Sequence, residues 1–315
     1  MNSYNKNFFI FTSFVGLCII SKKILKNYID YKTFTKIDKK FPRDKIWEQE
    51  LKIYECSLPK IHINFSKRKK CLLLIGGYRD IPLLWKEFEQ ILKDNNIDYY
   101  APRTFGNGRS FFQDFDIKDW IITYLEAIYV LQELYEEVDI IGFSTGASIA
   151  LYLSQFNYKI KINNLFLVSP FLLYNENNLT FFYFYKSKIS FIINNLYNLL
   201  FDYYPKTFVS DNDDYKTLEN NFNEDYGTLN FSNKLINFVQ FRPTKINSKN
   251  LCIFYSNNDQ VIGDIQKQYN IISSIYSKKT DLIEIFNPND VCTHSIFKFD
   301  YNVNKEIFDK MMLYN

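Results

Sequence analysis

Gly142-Phe143-Ser144-Thr145-Gly146 sets a serine between two close glycines, directly after the apolar run VDIIGF and before the run TGASIALYLSQF. A serine hydroxyl attacks carbonyl carbon only when a neighbouring base takes its proton. At a strand-to-helix elbow its oxygen is exposed, and small flanking residues avoid backbone clashes. With 9 glycines in 315 residues, this spacing rarely arises by chance. The position also brings the Thr145 amide and the positive helix end beside any oxyanion that forms.

Two histidines can supply the base, His62 and His294. An elbow serine is followed in the chain by its acid and then its histidine. His62 stands upstream in an early strand-like run, whereas His294 lies in the loop NPNDVCTHS after the last such run. His294 is therefore the expected base. The acid should follow the run LCIFY, where Asp259 is the carboxylate of the loop SNNDQVI. Asp264 is the alternative, with helix capping as its other reading, and Asp290 ranks behind it. A second oxyanion donor is expected from LLLIGGYRD, where Gly76 and Gly77 permit a tight turn and Tyr78 presents its backbone N–H. The chemistry expected is acyl transfer through Ser144. Ester, thioester and amide substrates would all use these parts.

These side chains must be brought together by elements far apart in the chain. From about residue 51, short β-rich apolar runs alternate with helix-length amphipathic segments, the pattern of a mostly parallel sheet covered by helices on both faces. Strands are expected at 51–56, 61–65, 71–75, 99–101, 138–143, 164–168, 251–255 and 281–285. The first two lack an intervening helix and can form an antiparallel start. Helices are expected at 84–95, 117–135, 145–154, 265–276 and 295–313. The rhythm breaks between 168 and 251, an insertion expected to form a cap at about 171–247 of an α/β domain spanning 45–315. Within it, residues 180–208 hold 11 Phe or Tyr in 29, against 19% aromatic overall. An apolar cap suits a lipid-like ester, and packing of the cap on its own core is the other reading.

Composition excludes several classes. The formal charge of +3 is too small to mark a nucleic-acid partner, and the basic run 66–70 reads as a solvated turn. Five cysteines without a Cys-x-x-Cys pair read as reduced thiols, and with two histidines and no His/Cys cluster neither a metal site nor a cofactor is expected.

Residues 8–20 (FFIFTSFVGLCII) form an apolar stretch of 13, with Lys6 before it and Lys22, Lys23 and Lys26 after it. They predict an uncleaved N-terminal anchor over 1–26, with membrane association through 8–20. The heavier positive flank would leave the catalytic domain cytoplasmic. A helix packed on the domain is the alternative.

The ordered motifs LLLIGG, APRTFGNGRS, GFSTGA, SNNDQVIG and THS resemble the α/β-hydrolase superfamily, nearest to its serine aminopeptidase-like group of monoglyceride lipases and lysophospholipases. The resemblance runs from about residue 51 to the C-terminus apart from the insertion. It implies a serine hydrolase with Ser144, Asp259 and His294 as nucleophile, acid and base. Two departures stand out: Gly76-Gly77 replaces a frequent His-Gly, and Phe143 and Thr145 flank the serine where lipases of the group often carry His and Met. Gly106-Asn107-Gly108-Arg109-Ser110 resembles a structural turn of the family. A scaffold of this fold that binds without catalysing, tethered to a membrane, is the contrasting expectation.

Overall fold

The computed structural model describes residues 58–64, 69–78, 80–105, 117–173, 203–205, 226–228, 238, 243–257, 259, 261–285, 294, 296–298 and 301–314. Its centre is a seven-stranded sheet in the order β1-β3-β2-β4-β5-β8-β9. The strands are β1 (Lys60–His62), β2 (Lys70–Ile75), β3 (Tyr99–Ala101), β4 (Glu137–Phe143), β5 (Lys161–Val168), β8 (Asn250–Tyr255) and β9 (Thr280–Glu284). Only β1 runs antiparallel, pairing Ile61 with Tyr100 of β3. The expected partner of β1 at 51–56 lies outside the described residues. The fold class expected from the alternating pattern is thus the one observed.

Strands buried on both faces explain why the core runs are continuously apolar. Along β2, Leu73 and Ile75 join one buried cluster while Leu72 and Leu74 join the other. Leu165 and Leu167 of β5, and Leu251 and Ile253 of β8, repeat the division, with Phe166, Val168, Cys252 and Phe254 on the opposite face. Helices α1 (Lys86–Asp94) and α5 (Tyr301–Met312) cover that second face. Helices α2 (Ile117–Leu131), α3 (Thr145–Leu153) and α4 (Ile265–Ile275) cover the first.

The helix expected at 117–135 ends at Leu131, and two others open with a 3-10 turn. The expected helix at 84–95 divides into a 3-10 turn, Pro82–Trp85, and α1. Pro82 fits the first turn because its missing N–H has no helical partner to lose. The expected helix at 295–313 likewise begins as a 3-10 turn, Ile296–Lys298, and settles into α5 only from Tyr301. Between β5 and β8, the insertion contributes an antiparallel pair, β6 (Tyr203–Pro205) with β7 (Tyr226–Thr228). The aromatic run at 180–208 and the Gly106–Ser110 turn fall almost entirely outside the described residues.

Among the described residues no helix is long and apolar enough to cross a membrane. The expectations of a transmembrane helix, of membrane association through residues 8–20 and of a membrane-anchored localisation are corrected accordingly. Residues 1–26 lie outside the described residues. The apolar stretch of 13 would in any case rise only about 20 Å as a helix, short of the roughly 30 Å hydrocarbon layer.

Candidate active site

Sheet order positions the site. The chain passes from β2 outward to β3, then crosses to β4 on the other side of β2 and continues to β5, β8 and β9. The loops leaving β2 and β4 therefore diverge, and the crevice between them at the carboxyl ends of the strands is where ligands bind in open α/β sheets.

Ser144 fills the single position between β4 and α3, with φ 55° and ψ −119°. Such left-handed backbone costs a residue with a side chain on the order of 1–3 kcal/mol and persists only where surroundings hold it. Three backbone bonds do so: Ser144 N–H donates to Val168 O at 2.9 Å, and Ser144 O accepts from Ala147 N–H at 3.0 Å and Phe171 N–H at 3.2 Å. The glycines of the motif make the turn sterically possible. A Cβ on Gly142 would lie 2.5 Å from Gly146 O, and one on Gly146 would lie 2.3 Å from Ile75 O. Serine is a favoured helix N-cap, yet Ser144 makes no capping bond through its side chain. The hydroxyl is turned elsewhere.

It meets His294, with Ser144 Oγ 2.6 Å from Nε2. The other ring nitrogen, Nδ1, lies 2.8 Å from Asp259 Oδ2. A carboxylate only accepts, so Nδ1 carries the proton and donates to Asp259, leaving Nε2 to accept from the serine hydroxyl. Asp259 is itself fixed, its Oδ1 accepting from Val261 N–H at 2.9 Å and Ile262 N–H at 3.1 Å. The Asp259 and His294 side chains are 1% and 8% exposed, dry enough for their contact to orient the ring. The structure thus brings the three expected residues into one line. The alternatives separate from it: Asp264 caps α4 by accepting from Lys267 N–H, His62 stacks on Tyr99 with ring centroids 5.9 Å apart, and Asp290 lies outside the described residues.

The loop after β2 lies against the serine. A Cβ on Gly77 would come within 3.0 Å of Ser144 Cβ, which places the next residue, Tyr78, at the mouth of the crevice. Across it, Thr145 opens α3, where the first amides find no partner inside the helix. These are the two amides expected to face an oxyanion.

Several supporting residues were not anticipated. Asp80 is 8% exposed and folds the loop back on itself, its Oδ2 accepting from Gly77 N–H at 2.8 Å. A carboxylate three residues after a glycine pair is a turn signal that could have flagged it. Tyr124 of α2 shares a 2.6 Å bond with Thr104 Oγ1, and its hydroxyl also bonds the Gly76 backbone. Burial pushes this phenol well above its ordinary range, against the lowering effect of those bonds, so it stays neutral beside the loop. Phe143 packs its ring 5.2 Å from the His294 ring and 5.8 Å from Phe297. The residue preceding the serine therefore forms the floor under the His294 ring.

A groove of about 370 Å³ also opens among the described residues, lined by Leu58, Pro59, Tyr100, Phe105 and Val130 with Arg103 and Glu126. None of Ser144, Asp259 and His294 lines it, so it is separate from the crevice. No group of three or more metal-ligating side chains occurs among the described residues.

No protein-family model matches the sequence, and no curated protein is significantly similar to it. Solved structures do match. A monoacylglycerol lipase from Paleococcus ferrophilus aligns over 81% of this chain and all of its own, at 12% identity and a TM-score of 0.60. A structure of the metagenome-derived lipolytic enzymes LipS and LipT aligns over 83% of this chain and 97% of its own, at 12% identity and 0.59. A soluble variant of monoglyceride lipase from Saccharomyces cerevisiae, in complex with a substrate analogue, aligns over 81% and 88%, at 13% identity and 0.55. At such identities the likeness is one of fold, and the fold is that of the α/β hydrolases.

Proposed function

We propose that the protein is a serine hydrolase that cleaves a carboxylic ester through an acyl-enzyme intermediate. The observation that carries this reading is the unbroken line from Ser144 Oγ through both nitrogens of His294 to Asp259, with contacts of 2.6 and 2.8 Å. As the Ser144 oxygen attacks the carbonyl carbon, its proton passes to His294 Nε2. Asp259 holds the ring in the required tautomer and stabilises the imidazolium that results. The Tyr78 and Thr145 amides receive the developing oxyanion. Collapse of the tetrahedral intermediate breaks the ester C–O bond, and the departing alcohol takes the proton from Nε2. Water then attacks the acyl-enzyme by the same steps, releasing the acid and restoring the serine.

The substrate class proposed is lipid-like. The aromatic run at 180–208 of the insertion supports it, as do the lipase activities named for the structural neighbours. No cofactor is required for this chemistry.

The test is labelling of the full-length protein with a fluorophosphonate probe, beside Ser144→Ala and His294→Ala. Wild-type labelling lost in both variants, followed by turnover of monoacylglycerols or aryl esters of graded chain length, is the expected outcome. A folded wild type that neither labels nor hydrolyses any of these esters would leave a binding scaffold as the reading.

A further inference from the structure

Gln268 lies on the buried side of α4, in line with Ile265 and Ile272, and is 0% exposed. An amide at a core position of an amphipathic helix is costly unless every polar atom is bonded. Here each is. Oε1 accepts from Leu172 N–H at 2.9 Å and Leu173 N–H at 3.3 Å, and Nε2 donates to Gly263 O at 3.1 Å. Gly263 N–H in turn donates to Leu173 O at 2.6 Å, closing a ring of three hydrogen bonds among Gln268, Gly263 and Leu173.

The two strands of chain that this ring joins lead to opposite ends of the catalytic line. In one direction, residues 171–173 reach the nucleophile: Phe171 N–H donates to Ser144 O, and Ser148 Oγ donates to Phe171 O at 2.7 Å. In the other, Gly263 follows Ile262, whose amide holds Asp259 Oδ1. Ser144 and Asp259 sit on loops after different strands, and this strap ties one loop to the other at the root of the insertion.

We infer that Gln268 is a positioning residue that sets the separation of the Ser144 elbow and the Asp259 loop, and with it the span His294 must bridge. The inference rests on the proposed roles of those residues. Replacement by leucine keeps the volume but removes the acceptor shared by the Leu172 and Leu173 amides and the donor to Gly263 O. Of the ring, the bond from Gly263 N–H to Leu173 O then remains to tie the acid loop to the elbow segment, and without the Gln268 bonds to hold its register a misplacement of about 1 Å at a catalytic contact can cost on the order of 100-fold in rate.

The experiment uses full-length wild type, Gln268→Leu and Gln268→Glu, with two readouts. The first is the labelling rate constant at saturating fluorophosphonate, which counts folded molecules only. Gln268→Leu should be slower by at least about 10-fold. Gln268→Glu keeps the acceptor but loses the donor when ionised, so its rate relative to wild type should climb as pH falls and the protonated carboxyl again donates to Gly263 O. The second readout is the downfield proton resonance of His294 Nδ1–H, assigned with His294→Ala, which should broaden or exchange faster in Gln268→Leu. An unchanged rate constant and an unchanged resonance in Gln268→Leu, with lowered thermal stability alone, would overturn the inference. Should that variant not fold, a Gln268→Glu ratio flat across pH overturns it equally. A wild type that fails to label counts against the hydrolase reading, and the resonance then decides the role of Gln268 by itself.

Discussion

Two buried carboxylates, Asp259 at the carboxyl ends of the strands and Glu89 beside the outer edge of the sheet at β1 and β3, are held in different ways. Asp259 accepts from Val261 N–H and Ile262 N–H through Oδ1 and meets His294 Nδ1 through Oδ2. At the edge, Glu89 of α1 is 7% exposed, yet its Oε1 has no hydrogen-bond partner among the described residues. Apolar groups are treated inversely. Ile61 of β1 and Tyr129 and Val130 of α2 are each more than half exposed, beside the groove at Leu58 and Pro59. Both oxygens of Asp259 are oriented by hydrogen bonds, whereas Oε1 of Glu89 is held by packing.

The sharpest way to break the contrast is at the acid. Asp259→Asn preserves shape but presents an amide to His294 Nδ1, favouring the wrong tautomer. Fluorophosphonate labelling should fall by about 10⁴-fold, the size of effect known for such a change in a serine protease, with the fold intact by circular dichroism. A fall below tenfold would mean that Asp259 does not orient the base.

Gly146→Ala tests whether the elbow tolerates any bulk. Its new Cβ would meet two backbone carbonyls, Ile75 O at 2.3 Å and Gly76 O at 2.4 Å, and neither belongs to a flexible side chain. A loss of about 3 kcal/mol or more is expected in chemical denaturation, beyond ordinary overpacking.

At the edge the expected change is smaller and of opposite sign. Burial raises the Glu89 carboxyl above its ordinary range, outweighing the lowering by Lys60, Lys93 and the Tyr99 hydroxyl. An acid whose folded-state value is raised costs nothing at low pH, where both states are protonated. It destabilises increasingly as pH rises through the raised range. Glu89→Gln should therefore raise the melting temperature at neutral pH and leave it nearly unchanged near pH 3. Equal shifts at both pH values would show that the carboxylate is adequately solvated.

Much of this arrangement was legible in the sequence because it is local. The runs at 71–75, 138–143 and 251–255 announce strands by composition, and the serine elbow by its two glycines. His294 and Asp259 follow from chain order once Ser144 is placed, since only two histidines were available. What escaped notice depends on partners distant in sequence. The bonds of Gln268 reach back 96 and 95 residues to Leu172 and Leu173, and the contact of Phe143 with Phe297 spans a comparable gulf. Gln268 did leave a trace, a polar residue on an otherwise apolar helical stripe. The helix expected at 295–313 was overextended because periodicity continues through the 3-10 turn at Ile296–Lys298, while the backbone must first release His294 toward the crevice.

The aromatic neighbours of Tyr78 and Phe143 also give the molecule an optical character. Trp120 is fully buried with its ring centroid 6.1 Å from that of Tyr78 in the loop after β2. Trp85 lies 4.5 Å from Phe297 with their planes tilted, and the Phe297 ring in turn reaches Phe143, which packs on His294. With Trp47 replaced by phenylalanine, two indoles remain, and a ligand that displaces Tyr78 is expected to alter the emission of Trp120. Titrating such a variant with a non-hydrolysable ligand would then report occupancy beside Tyr78 without a chromogenic ester.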